Sequence, residues 1–197
     1  MDLIVLATRN EGKAEELKTL LPGLAARIES LRDHPEVRLP PEHGTAYEEN
    51  AALKARAVTE ALGVPALGDD SGLEVDALHG APGLYSARYA GPGATDAANN
   101  EKLLRALEGV PLDRRTARFR CVLALATPHM PSRLFEGTCE GRILEAPRGN
   151  SGFGYDPLFL PDGEILTFAE LSPERKNEIS HRARAALALL EGILPER

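Results

Sequence analysis

Gly68-Asp69-Asp70-Ser71-Gly72 is the stretch on which the reading of this chain turns. It follows Val64-Pro65-Ala66-Leu67, a short apolar run after Gly63 that reads as a buried strand. Two adjacent carboxylates at the end of such a strand cannot both point the same way. At least one must find a cation, a donor network or water, because an unpaired buried carboxylate is too costly to keep. The flanking glycines allow a sharp turn and close approach by a ligand, and Ser71 adds a hydroxyl. The stretch is therefore either a strand-end site for Mg²⁺ or a general base, or a polar turn with Asp as its cap.

Upstream, Leu3 to Ala7 is wholly apolar, as a central strand covered on both faces should be. It gives way to Thr8-Arg9-Asn10-Glu11-Gly12-Lys13 and then to a helical pattern with Leu17, Leu20 and Leu21, stopped by Pro22-Gly23. Strand, polar loop and helix aim free backbone N–H groups at an anion, and Thr8, Asn10 and Lys13 add a hydroxyl, an amide and an ammonium. The alternative is that Asn10 caps the helix and Lys13 is solvated; the loop lacks the Gly-x-x-x-x-Gly-Lys pattern. Ile28 to Leu31 reads as a second strand and 32–44 as a loop. Thr45-Ala46-Tyr47-Glu48 is a capping box opening a helix to about Leu62, with Tyr47, Ala51, Val58 and Leu62 on one face. Glu42, Glu49, Asn50 and Lys54 are the polar residues near its start.

Downstream, Leu73 to Leu78 alternates like a strand. The Gly80-Ala81-Pro82-Gly83 loop leads to Tyr85, Arg88 and Tyr89, which mark either an interface or ordinary edge packing. Thr95 caps a helix over Asp96–Glu108. Thr116–Thr127 places Ala117, Phe119, Cys121, Leu123 and Leu125 on one strand face, and Arg133–Ile143 returns as its partner, so the sheet is mixed. Pro147 to Pro157 is the most glycine-rich loop, where Phe153 and Tyr155 offer aromatic faces to a base. Leu158-Phe159-Leu160 reads as a strand and Ser172-Pro173 as a helix start. Lys176 to Arg182 precedes a closing helix whose Ala183, Leu187, Leu190 and Leu194 face the core. His181 beside Arg182 reads as a surface or capping residue more readily than as a catalytic one.

With 197 residues, 43% hydrophobic and 27% charged, the chain suits one domain over 1–197 with a sizeable core. A net charge of −7 argues against a nucleic-acid-coating surface, so a phosphate ligand should be a small molecule in a local positive pocket. No apolar run approaches the ~20 residues that span a bilayer. Without a secretory segment at the N-terminus, Cys121 and Cys139 are expected reduced and the protein cytoplasmic. Neither His nor Cys has metal-ligand spacing, which argues against zinc.

Taken together, the motifs resemble the inosine triphosphate pyrophosphatase family. The resemblance rests on Ala7 to Lys13, Glu42-His43-Gly44 with Glu49-Asn50-Ala51 and Lys54-Ala55, and Asp69 to Leu73. It continues through Gly80 to Gly83 with Tyr85 to Arg88, Gly152-Phe153-Gly154-Tyr155-Asp156-Pro157, and Lys176 with Ser180-His181-Arg182, in the family's order along almost the whole chain. It implies an α/β fold with a long mixed β-sheet flanked by helices, two lobes with a nucleotide cleft between them, and a homodimer. It also implies Mg²⁺-dependent cleavage of non-standard purine nucleoside triphosphates (ITP, dITP, XTP) between the α- and β-phosphates. Carried over residue by residue, Thr8, Arg9, Asn10, Glu11, Gly12 and Lys13 would hold phosphates, Glu42 and Asp70 would face Mg²⁺, and Asp70 would also accept a proton. Ser71, Phe153, Gly154, Tyr155, Asp156, Lys176, His181 and Arg182 would contact the nucleotide. Lys13 and Lys176 suit stabilisation of the leaving pyrophosphate. The rival readings are a triphosphatase releasing orthophosphate and a non-catalytic nucleotide sensor.

Overall fold

The structure, a computed structural model, describes residues 1–42 and 44–193. His43 and Leu194, both invoked above, lie outside the described residues. The strands are β1 (Leu3–Leu6), β2 (Arg27–Ser30), β3 (Ala66–Val75), β4 (Thr116–Ala126), β5 (Arg133–Ile143) and β6 (Phe159–Pro161). The helices are α1 (Glu11–Leu20), α2 (Tyr47–Leu62), α3 (Asp96–Ala106), α4 (Pro173–Ile179) and α5 (His181–Ile193). The strands form a six-stranded sheet in the order β2-β1-β3-β4-β5-β6. β1 runs parallel to β2 and β3, whereas β6 runs antiparallel to β5, so the α/β fold and the mixed sheet are as expected.

The chain forms two compact units: Met1–Asp70, Cys121–Gly137 and Arg182–Arg197 in the first, Ser71–Arg120 and Thr138–His181 in the second. In the first unit β1 is apolar throughout because both its faces are covered. Ile4 and Leu6 pack with Leu17 and Leu21 and with Ala185, Ala186 and Leu189 of α5, while Val5 packs with Val58 of α2, Leu31 and Val37. α1 is capped by the Asn10 side chain, which accepts from the Lys13 N–H. α2 starts one residue later than the capping-box reading requires: Ala46 is the N-cap, and Thr45 bonds Glu49 rather than Glu48. Gly63 ends it in the left-handed conformation.

Two further expectations are corrected. On α5, Leu187 is 56% exposed, because the inward stripe runs through Arg182, Ala185, Ala186 and Leu189. The break expected at Gly68–Gly72 does not exist: β3 continues through it to Val75. Gly68 lies in the strand because α2 packs against it; a Cβ there would sit 2.1 Å from the Ala51 carbonyl oxygen. The glycine does serve close backbone approach, by a helix.

The second unit packs Leu73, Val75, Leu103, Leu107, Phe119, Ile143, Leu158, Phe159 and Phe168 together. Thr95 caps α3 and Ser172 caps α4, with Pro173 in its first turn. No helix among the described residues is long and apolar enough to cross a membrane.

Candidate functional site

Because β3 runs straight through the acidic pair, its alternation sends Asp69 and Asp70 to opposite faces. Asp70 shares a face with Gly68, the side on which α2 lies close. Asn50 and Lys54, one turn apart on α2, both reach it: Lys54 Nζ lies 2.8 Å from Oδ1 and Asn50 Nδ2 3.2 Å from Oδ2. The same ammonium donates to Glu42 at 2.9 Å, so two carboxylates converge on one lysine. Burial pushes the Asp70 carboxyl above its ordinary range, and Lys54 reverses this only in part. Burial also works against the charge on Lys54, but Asp70 and Glu42 overcome it and its pKa is raised.

On the other face Asp69 is fully buried. Its Oδ1 accepts from Lys13 Nζ at 2.6 Å and its Oδ2 from Arg182 Nε at 2.7 Å, with the Cys121 sulfur 3.6 Å from Oδ2. Burial alone would raise this carboxyl, yet Arg182 and Lys13 hold it well below the usual carboxylate range. Arg182 is 1% exposed and also donates to Glu16 of α1, so its guanidinium is engaged by two carboxylates. Burial pushes the Cys121 thiol well up, which keeps it protonated beside Asp69.

The loop before α1 is fixed by hydrogen bonds of its own side chains. Thr8 is buried and accepts from the Asn10 N–H at 3.1 Å, and Arg9 donates to the Val37 carbonyl at 2.6 Å. Glu11 is exposed and pairs with Arg32, and Gly12 lies in the first turn of the helix. Thr8, Arg9, Asn10 and Glu11 line a cavity of about 360 Å³ with Lys18, Ser30 and Arg32. Lys13, whose alternatives were phosphate contact and solvation, is tied down by Asp69.

The second unit holds the remaining candidates. Lys176 Nζ bonds Asp156 Oδ2 at 2.6 Å, and the same oxygen accepts from the Phe153 N–H at 3.0 Å. Lys176 also lies 5.2 Å from the centre of the half-buried Phe153 ring. Gly154 adopts the left-handed conformation and Ser71 is half-buried. Tyr155, expected beside Phe153 as a second aromatic face, is instead a core residue whose hydroxyl donates to the Ser86 carbonyl at 2.8 Å. His181 is not a surface cap: it is 4% exposed and its ring stacks on Phe119 with centroids 4.7 Å apart.

Lys54 and Asn50 received no role from sequence. Their spacing, four apart on one helix face and in register with a glycine in the facing strand, was the available signal.

The site's oxygens can be tested against a divalent cation. Among the described residues no three His, Cys, Asp or Glu side chains are grouped to hold a metal on their own. Mg²⁺ needs less: one or two carboxylates complete its sphere with waters and phosphate oxygens. Glu42 and Asp70 supply hard oxygen donors that already share one positive charge, Lys54 Nζ, so this pair fits that requirement.

The model of the Ham1 family matches residues 4–192. The dITP/XTP pyrophosphatase of Geobacillus kaustophilus is 51% identical over 97% of this chain and 94% of its own. That of Geobacter sulfurreducens is 52% identical over 98% and 97%. Among solved structures, a HAM1 protein from Coxiella burnetii is 41% identical with a TM-score of 0.87, covering 98% of this chain and 100% of that one. The nucleoside-triphosphatase, dITP/XTP pyrophosphatase of Mycobacterium abscessus is 45% identical with a TM-score of 0.76, covering 95% and 98%.

Proposed function

The chain belongs to the Ham1 family, and from that premise we propose that it hydrolyses non-standard purine nucleoside triphosphates (ITP, dITP, XTP) to the nucleoside monophosphate and pyrophosphate. The observation that carries this reading is the environment of Asp70, a buried carboxyl with a raised pKa beside Lys54 and Glu42. A carboxylate poised in this way suits a general base. Asp70 takes a proton from water as the water oxygen attacks the α-phosphorus. The bond from that phosphorus to the α,β-bridging oxygen breaks, and pyrophosphate leaves with the electron pair.

Thr8 to Lys13 meet the phosphates, with Lys13 opposing the charge that grows on the leaving group. Lys54 holds Asp70 and Glu42 against each other's repulsion. Glu42 and Asp70 would hold Mg²⁺, which would screen the four or so charges of the triphosphate and polarise the phosphoryl oxygens. In the second unit Phe153 suits stacking on the base, with Ser71, Gly154, Asp156, Lys176 and His181 as the polar groups around the nucleotide. The engagement of Arg182 by Asp69 and Glu16 favours a role in holding Asp69 over donation to the base. The chain acts as one functional domain over 1–197, in the cytoplasm, as a homodimer. Tyr85, which is 63% exposed with Arg88 over its ring, is the leading interface candidate beside Tyr89.

Chromatography of the products from ITP, dITP, XTP, GTP and ATP, with and without Mg²⁺, tests the reading. Pyrophosphate and monophosphate from the first three in the presence of Mg²⁺ are expected. Orthophosphate would make the protein a general triphosphatase, and binding without turnover a sensor. Sedimentation as a 21.2 kDa species at micromolar concentration would remove the dimer.

A further inference from the structure

We propose that Asp96 and Asn100 of α3 are positioning residues for the base, acting through Gly154 on Phe153. The inference rests on the reading of Phe153 as the group that stacks on the purine. Asp96 and Asn100 lie one helical turn apart and grip opposite ends of one residue. Asp96 Oδ2 accepts from the Gly154 N–H at 2.7 Å, and Asn100 Nδ2 donates to the Gly154 carbonyl at 2.9 Å.

The Gly154 N–H belongs to the peptide plane that follows Phe153, and the plane that precedes Phe153 is held by Asp156, which accepts its N–H at 3.0 Å. Both planes flanking the Phe153 Cα are therefore clamped, and with them the direction in which its ring leaves the chain. Gly154 meets both helix residues in the left-handed conformation, with φ of 62°. Gly152 leaves no room for a side chain, since a Cβ would lie 2.1 Å from Asp156 Oδ2, so the carboxylate fills the turn from beneath. The Asn100 amide has one sensible orientation. Its Oδ1 is buried without a partner among the described residues, and turning it over would set two oxygens face to face at Gly154.

A ring held in place in the free protein adds little ordering cost when a base stacks on it; a ring on a loose loop adds that cost to every binding event. Removing the clamp should therefore raise KM and leave kcat in place. The test is steady-state hydrolysis of dITP by Asp96→Ala, Asn100→Ala and Phe153→Ala, by each clamp variant combined with Phe153→Ala, and by Asp96→Asn, which keeps an acceptor. Thermal melts on all of them separate loss of fold from loss of positioning.

Each clamp variant is expected to raise KM by about three- to tenfold with kcat unchanged. In the Phe153→Ala background the same changes should add less than about twofold, and Asp96→Asn should stay within about twofold of wild type. The inference falls if Phe153→Ala raises KM while both clamp variants leave it alone, or if the clamp effect persists undiminished without Phe153. If Phe153→Ala itself leaves KM unchanged, the stacking reading fails and takes the clamp with it.

Discussion

The two faces of β3 carry the same chemistry to opposite ends. Each presents one aspartate to one lysine, yet Asp69 is held well below the ordinary carboxylate range and Asp70 is pushed above it. The difference lies in the count of cations. Asp69 has Lys13 and Arg182, one on each oxygen, and they outweigh its complete burial. Asp70 is ion-paired with Lys54, which it must share with Glu42, and Lys13 acts on it only without an ion pair. Carboxyls whose surroundings drive their pKa values apart take different tasks. Asp69 is held as an anion that ties α1 and α5 to the sheet, and Asp70 is the one we propose as the base.

The widest separation between the faces should come from neutralising each carboxylate in turn. Asp70→Asn should lose ~10²–10⁴-fold in rate, the usual cost of a missing general base. Its fold should lose less stability than that of Asp69→Asn at neutral pH in the absence of divalent cations, because Lys54 keeps Glu42 as a partner. A carboxyl whose folded pKa is raised favours the native state below its unfolded pKa and costs stability once pH passes the folded value, so removing the charge relieves a cost. Retention of more than about a tenth of wild-type turnover would take the base role from Asp70.

Asp69→Asn should behave in the opposite sense. It leaves the fully buried Arg182 and the Lys13 ammonium without their shared anion, a change that costs ~3–5 kcal/mol for a broken buried pair. Asp69 is depressed in the folded state, so its stabilisation is present above the unfolded pKa and lost as pH falls through the folded value. Urea melts at neutral pH should show the loss, and an acid titration should show wild type converging on the variant only at the acid end. Equal urea midpoints at neutral pH would reduce the Asp69 cluster to a bystander.

What sequence reading could and could not see follows from the same strand. It found that two neighbouring carboxylates must diverge, and it found β1, α1 with its Asn10 cap, β4, β5 and the Ser172 cap, because periodicity and capping are local signals. It ended the strand at Gly68–Gly72, since glycine beside aspartate is turn chemistry, and the reason the strand runs on is Ala51 of α2, 17 residues upstream, lying against Gly68. The Arg182 partners are likewise out of reach of local pattern: Glu16 and Asp69 come from α1 and β3, and an arginine at a helix start gives no sign that it is buried. Leu187 was misplaced on the inward face because the stripe of α5 is made largely of alanines, with weak contrast between faces.

Gly68→Ala sharpens the comparison by disturbing one face alone. A methyl group 2.1 Å from the Ala51 carbonyl must push α2 away from β3. Overpacking of this kind costs ~1–3 kcal/mol. Asn50 and Lys54 move with the helix, so turnover should fall beyond what the urea midpoint accounts for, while the Asp69 cluster on the opposite face keeps its acid behaviour. A variant that loses stability and keeps wild-type kcat would show that Asp70 does not depend on α2.

The finest test asks whether the cation count sets the Asp70 pKa. Lys54→Met keeps the length and apolar stem of the side chain and removes the ammonium. Burial and Glu42 then act on Asp70 without the paired cation that chiefly opposed them, Lys13 alone remaining on that side, and both disfavour its charged form. A base works only when deprotonated, so activity is lost as pH falls through the folded pKa. With that pKa raised further, the acid limb of the kcat/KM profile must move to higher pH than in wild type at the same Mg²⁺ concentration, and part of the lost rate should return as pH rises. Asp69 keeps both its cations, so the acid unfolding associated with it should stay where it was. A limb that does not move would mean that the group titrating in the rate profile lies elsewhere, and the contrast between the two faces of β3 would then concern stability alone.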